Sequence, residues 1–492
     1  MMRYNNHILF FIFTLLFFAG CESKPERNII LITADTLRAD HLGCYGYTRK
    51  TSPNIDQLAS KSLMFTYVSS VINNTNPSHI SIFTARYPKN HEVYTNWTPL
   101  KIEGPITLAQ ILQDQGYTNA AFVSANHLNS DVVGLGSGFD FYQNTQKPKV
   151  NAYETIGHVV SWLKENSGKK FFMWVHLFDP HMPYNPMPPY DSIFDPEYKG
   201  WGKIFFDVYN RKISAREYVY SPELNPSQVD VLARVALGTF SIQDIFFNRI
   251  GLKDRDAEYV KALYDGEIAY MDQELGRLFS EIEKLGLDKN TIIIFTADHG
   301  ESLGEHGIFC EHKGLYENSL RVPLIVHVPG MGSKKISGMA SNLDIMPTVL
   351  DLLHLHVSSE IEKGFDGKSL LPLIEGSTAQ IRNELYMEHA NNVAKSIRRE
   401  SFKYIFPVLE NLPYFPNEYT HQEELYDLKT DPAEAANLIN KTESLGKTPY
   451  KVLRESLLQW TGKPKSTKQE SLDFQNQEKE KMEKLKSLGY IQ

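Results

Sequence analysis

Three apolar runs constrain this chain more than any other feature: Ile29 to Thr33, Phe171 to Leu177 and Ile292 to Thr296. Each is five to seven residues of apolar or β-branched type, the make-up of a strand buried on both faces. Each also runs directly into polar chemistry, the first into Asp35, the second into Asp179 and His181, the third into Asp298 and His299. Ala120 to Val123 and Pro323 to Val328 read as two more such strands, with helical patterns between them at Ser52 to Ser62, Ile106 to Gly116 and the amphipathic Gly266 to Gly286. Strands alternating with helices predict an α/β fold with a large, mainly parallel sheet sandwiched by helices. The C-terminal ends of parallel strands share one rim, where ligands bind. The acids and histidines are therefore expected to meet there.

Asp35, Asp298 and His299 supply two carboxylates and an imidazole, a ligand set for one divalent cation, with Zn, Mn and Ca all compatible. The stretch NNTNPSHISIFTA, Asn73 to Ala85, adds a hydroxyl. Locally it reads as a helix start, with Pro77 and Ser78 ahead of the apolar Ile80 to Phe83. Thr75 is nevertheless a candidate nucleophile, because coordination to a cation is one of the few ways to activate a Thr hydroxyl at neutral pH. His181 and Lys313 would supply a proton or positive charge where an ester oxygen leaves. Asp179, His176, His306 and His312 leave a second ion open, although one is the expectation.

The segments NIILITADTLRADHLGCYGY, TNPSHISIFTARYP, VHLFDPHMPYNP, TADHGESLGEHG, KGLYENSLRVPLIV and ELYDLKTDPAEAANL occur in order from about Asn28 to Leu438. In this the chain resembles the sulfatase family of the alkaline phosphatase superfamily. The resemblance implies an alkaline phosphatase-like fold, metal ligands at Asp35, Asp298 and His299, the nucleophile position at Thr75, and contacts to the transferred group or leaving oxygen from His181 and Lys313. Departures accompany it. Active sulfatases carry Cys or Ser at the nucleophile position and oxidise it to formylglycine, and Thr cannot become that aldehyde. The family's Arg two residues past the Pro is His79, its second metal-binding Asp is Thr36, and its GKWH Lys and His are replaced by VSANHLNS, where His127 reads as structural.

At the N-terminus, Arg3 precedes an apolar run from Ile8 to Ala19, a pattern of a secretory signal over residues 1–20. Its end, Phe18-Ala19-Gly20-Cys21, resembles the bacterial lipobox, which implies lipidation at Cys21, a membrane anchor and a location at the cell envelope. Cys44 and Cys310 are the other cysteines, and their pairing cannot be read from sequence. A catalytic domain over 28–375 is expected to be followed by a small α+β subdomain over 376–445 and a charged, partly helical tail over 446–492. A net charge of -8 without a long basic block argues against a nucleic-acid partner. The reading is a metal-dependent hydrolase of phosphate or sulfate esters of a small molecule, glycan or lipid, phosphoester favoured. A phosphoethanolamine-type transferase and an inactive lipoprotein that binds anionic glycans or lipids are the alternatives.

Overall fold

The computed structural model describes residues 26–217, 223–246, 248–408, 422–440, 446 and 448–462. The signal segment, Cys21 and the chain from 463 onward lie outside them. The central sheet runs in the order Lys334–Ile336, Leu63–Ser69, Arg321–His327, Thr291–Ala297, Asn28–Ala34, Phe171–Leu177, Thr118–Phe122 and Phe141–Gln143, with Ala340–Ser341 also paired to Leu63–Ser69. All pairings are parallel except those of Arg321–His327, which runs antiparallel to both neighbours. The strands Asn28–Ala34, Phe171–Leu177 and Thr291–Ala297 are buried along their whole length. That is why their sequences are continuous apolar runs with no alternation.

Helices cover the sheet. The 31-residue helix Asp254–Lys284 packs against Pro53–Ser60, Ala152–Asn166 and Trp201–Tyr209. It is far longer than the Gly266 to Gly286 pattern suggests, because its first turns bury residues such as Tyr259, Val260 and Leu263. Among the described residues, no helix is long and apolar enough to cross a membrane.

A second, antiparallel sheet follows, in the order Glu384–Glu388, Ala394–Arg399, Phe402–Pro407 and Glu424–Asp427. Its side chains alternate. Leu385, Met387 and Ile405 face Leu315, Tyr316 and Leu320 of the main domain, while Ile397, Tyr404 and Leu425 pack on Leu453 and Leu457 of the helix Tyr450–Thr461. The small subdomain thus seats on the segment that follows Lys313. Cys44 and Cys310 are both free, the first half-buried and the second buried.

Candidate active site

The rim of the sheet gathers the predicted groups for a topological reason. Asp35, Asp179 and Asp298 each follow a parallel strand. Thr75 arrives the same way, after Leu63–Ser69, a strand not anticipated from the sequence. Lys313 precedes Arg321–His327, and that strand runs in reverse, so its beginning lies at the rim.

Asp35, Asp298 and His299 are fully buried, and one ligand atom from each lies within 4.8 Å of the others. Both Asp35 carboxylate oxygens, Asp298 Oδ2 and the Thr36 hydroxyl have no hydrogen-bond partner. Buried anionic oxygens without partners are costly, and burial together with Asp35 pushes Asp298 above the usual carboxylate range. His299 donates Nδ1–H to the Gly300 carbonyl at 3.0 Å, which leaves the Nε2 lone pair for a ligand. Nε2 lies 3.5 Å from Asp298 Oδ2 and 3.9 Å from Asp35 Oδ1. These donors fit a divalent cation. No second group of three metal-ligating residues converges among the described residues. His306 instead stacks on Tyr316, with ring centroids 3.5 Å apart.

Backbone geometry holds this arrangement. Thr36 adopts φ 55°, rare for a β-branched residue, and its N–H donates to Asp298 Oδ1 at 3.2 Å. Gly300 must lack a side chain, since a Cβ there would sit 2.0 Å from the Asn318 carbonyl oxygen.

Thr75 is the first residue of the helix Thr75–Thr84, so the helix starts two residues before Pro77. Its Oγ1 lies 3.4 Å from His299 Nε2. His79, one turn on, is buried at the same rim, with Nδ1 4.0 Å from Asp298 Oδ2. Its Nδ1–H donates to the Thr75 carbonyl at 2.8 Å, and its Nε2 accepts from Thr33 Oγ1 at 3.0 Å. Burial pushes the ring down to about 4 despite the pull of Asp298. Burial also holds His176 at about 4; its Nε2 stands 3.6 Å from Asp35 Oδ2. His127 is buried, and its carbonyl accepts from Asn76 Nδ2 at 2.8 Å, which supports the nucleophile turn through the backbone.

His181 stacks on Phe178 at 4.6 Å and donates Nδ1–H to the Met182 carbonyl at 2.6 Å. Its ring meets that of His312 at 5.9 Å, and His312 meets His299 at 4.2 Å, so His312 stands in contact with both His181 and the metal-ligand candidate His299. Lys313 Nζ lies 4.0 Å from Glu311 Oε2 and 5.5 Å from the Phe246 ring.

Sequence reasoning missed Asn73. Its Nδ2 donates to the carbonyls of His312 at 2.8 Å and Gly314 at 3.3 Å, and its Oδ1 accepts from Ala390 N at 2.8 Å. One side chain ties the nucleophile turn to the Lys313 loop and the small subdomain.

A mainly parallel sheet that brings two aspartates, a histidine and a hydroxyl residue to one rim is the architecture of an alkaline phosphatase-like fold. The sequence matches the sulfatase family over residues 27–355 and the C-terminal region of N-sulphoglucosamine sulphohydrolase over residues 304–461. The chain belongs to the sulfatase family. It is 26% identical to an N-acetylglucosamine-6-O-sulfatase of Bacteroides thetaiotaomicron, covering 90% of this chain and 88% of that one. It is also 26% identical to a multifunctional alkaline phosphatase superfamily protein of Trinickia caryophylli, covering 84% and 91%. The solved phosphonate monoester hydrolase of Agrobacterium radiobacter shares its fold, with a TM-score of 0.64 at 22% identity over 89% of this chain and 95% of that one.

Proposed function

We propose that the chain is a metal-dependent ester hydrolase in which Thr75 is the nucleophile and phosphate or phosphonate esters are favoured over sulfate esters. The observation that carries this reading is the placement of Thr75 Oγ1, 3.4 Å from His299 Nε2 at the start of a helix. A divalent cation held by Asp35, Asp298 and His299 would supply positive charge against the transferred group and favour loss of the Thr75 proton.

The protein's own groups account for the remaining roles. Thr75 Oγ1, its proton given up to solvent water, attacks phosphorus and the bond to the leaving oxygen breaks. His181, whose Nδ1–H is committed to Met182, has Nε2 as the atom that carries a proton to that oxygen. Lys313, on the loop that Asn73 ties to the nucleophile turn, would add positive charge there. Water then attacks the Thr75 phosphoester and restores the hydroxyl, releasing phosphate. A sulfatase releases sulfate by collapse of an aldehyde hydrate; oxidation of Thr75 at its carbinol would give a ketone, so that exit is closed. This is the chemical reason for the phosphoester preference.

The test is a turnover panel of aryl phosphate, phosphodiester, phosphonate and sulfate esters with the purified protein. Turnover of the phosphorus esters above the sulfate ester is expected; turnover of sulfate alone would overturn the reading. We also propose, from the lipobox-like end at Cys21, that the protein is lipid-anchored at the cell envelope. Cys21→Ala should then release it from membranes, and an unchanged mass and membrane partition would count against lipidation.

A further inference from the structure

The loop that carries His181 is anchored on both sides of that residue to Glu267, in the helix Asp254–Lys284. Glu267 Oε1 accepts from the Asn185 N–H at 2.6 Å, four residues past His181. Ahead of His181, Lys149 Nζ bridges Asp179 Oδ1 at 3.4 Å and Glu267 Oε1 at 3.2 Å. The loop lies directly on this helix, since a Cβ at Gly266 would sit 2.3 Å from the Tyr190 carbonyl oxygen. Between the anchors, the His181 N–H donates to the Phe178 carbonyl at 2.8 Å, and the imidazole stacks on the Phe178 ring.

Asp179 and Glu267 are each 1% exposed, and Asp179 Oδ2 and Glu267 Oε2 are buried without a donor. The two carboxyl groups lie within hydrogen-bonding reach of each other. Two ionised carboxylates beside one half-buried ammonium would leave a net negative charge out of water. One proton held between Oδ2 and Oε2 satisfies both oxygens and brings the cluster of Lys149, Asp179 and Glu267 to neutrality. In the same sense, burial, reinforced by Asp179 against the pull of Lys149, moves Glu267 above the usual carboxylate range.

We infer that Glu267 and Lys149 are positioning residues for His181: they clamp the loop 179–185 to the helix, through the proton shared with Asp179 and through the Asn185 N–H, and so fix the imidazole. The inference rests on the reading of His181 as the group that carries a proton to the leaving oxygen. A ring fixed before substrate arrives has less freedom to lose in the transition state.

The test compares phenyl phosphate with para-nitrophenyl phosphate, whose leaving group departs with little need of a proton. Glu267→Leu removes both anchors at similar volume. It should lower kcat for phenyl phosphate about tenfold more than for para-nitrophenyl phosphate, the signature of an impaired general acid. Glu267→Gln should behave as wild type, because its amide N–H replaces the shared proton and its carbonyl still accepts from Asn185. In a His181→Ala background, Glu267→Leu should add no further leaving-group effect. Lys149→Met, at a half-buried position, should give a leaving-group signature of the same kind, and it carries the test if Glu267→Leu fails to fold. Equal losses on both esters, or a leaving-group effect that persists without His181, would overturn the inference. A second readout needs no turnover. The His181 Cε1–H NMR signal of histidine-labelled protein, assigned by its absence in His181→Ala, should be single and sharp in wild type and Glu267→Gln. It should be broadened or split in Glu267→Leu and Lys149→Met. An unchanged His181 signal in these two variants refutes the clamp whether or not the protein turns over. An inactive protein that shows the expected pattern refutes only the esterase reading.

Discussion

His79 holds Thr75 by its backbone: the imidazole Nδ1–H donates to the Thr75 carbonyl at 2.8 Å. The support is a relay, since Trp174 Nε1–H donates to Thr33 Oγ1 at 3.0 Å and Thr33 Oγ1–H donates to His79 Nε2 at 3.0 Å. His79 is therefore a positioning residue for the nucleophile. His79→Ala should cost about 1 to 3 kcal/mol of stability by leaving buried partners unpaired and lower kcat more than it raises KM. His79→Asn, which restores a donor near Nδ1, should recover part of kcat. Equal losses in both variants, tracked only by melting temperature, would reduce His79 to a packing residue.

Thr75 itself is tested by a substitution pair. Thr75→Ala should abolish phosphoester turnover while the protein still melts cooperatively, because Asn74 is the N-cap and a lost side chain at the first helical position costs little in a domain of this size. Thr75→Ser keeps the hydroxyl and should retain substantial activity. A fully active, folded Thr75→Ala protein would remove it from the mechanism.

Metal removal should act on stability as well as on rate. The carboxylates of Asp35 and Asp298 carry buried oxygens without partners, and a ligand bound only by the folded state stabilises it. Treatment with a chelator should lower the melting temperature of the wild-type protein. Asp298→Asn should lose metal by elemental analysis and show a smaller response to the chelator. Full metal content in that variant would show that the ligand set is drawn wrongly.

Acid should destabilise the fold through His91. Its Nδ1 accepts from Val93 N–H at 3.2 Å and its Nε2–H reaches Ser81 Oγ at 3.0 Å, so only the neutral ring satisfies both. Burial pushes it down from the ordinary value of 6.5 to about 3. The unfolded chain thus binds a proton that the native state refuses between about 6.5 and 3, and stability contributed by the neutral ring is full above that window and lost as pH falls through it. In melts from pH 7 to pH 4, His91→Gln should show a shallower fall in melting temperature than wild type. A parallel pair of curves would exclude His91 from acid unfolding.

The strands that carry Asp35, Asp179 and Asp298 were legible because a strand buried on both faces has to be written in apolar residues, and the polar residue that ends it stands out. The strand Leu63–Ser69 was not, since Thr66 and Tyr67 are half-buried and interrupt the pattern. The four-stranded small sheet was visible as strand-like pieces after residue 375. The helix Tyr450–Thr461, in the segment expected to begin the tail, covers one face of that sheet, a pairing set by contacts such as Leu453 with Ile397 that no local pattern encodes.

By itself the sequence determined the α/β class, the alternation of its main strands with helices, and the residue types at the ends of three of those strands, because burial and periodicity are written into each segment. Only the tertiary structure decided which of those residues meet. Asp35 and Asp298 are 263 positions apart in sequence, and parallel pairing of their strands makes them neighbours. The reversal of Arg321–His327 brings Lys313 in before its strand, not after it. Asn73 becomes a tie between three segments, and Lys149 becomes a half-buried cation between the buried Asp179 and Glu267. Such roles arise from distance and exclusion of water across the folded chain, neither of which a polar residue advertises to its neighbours in sequence.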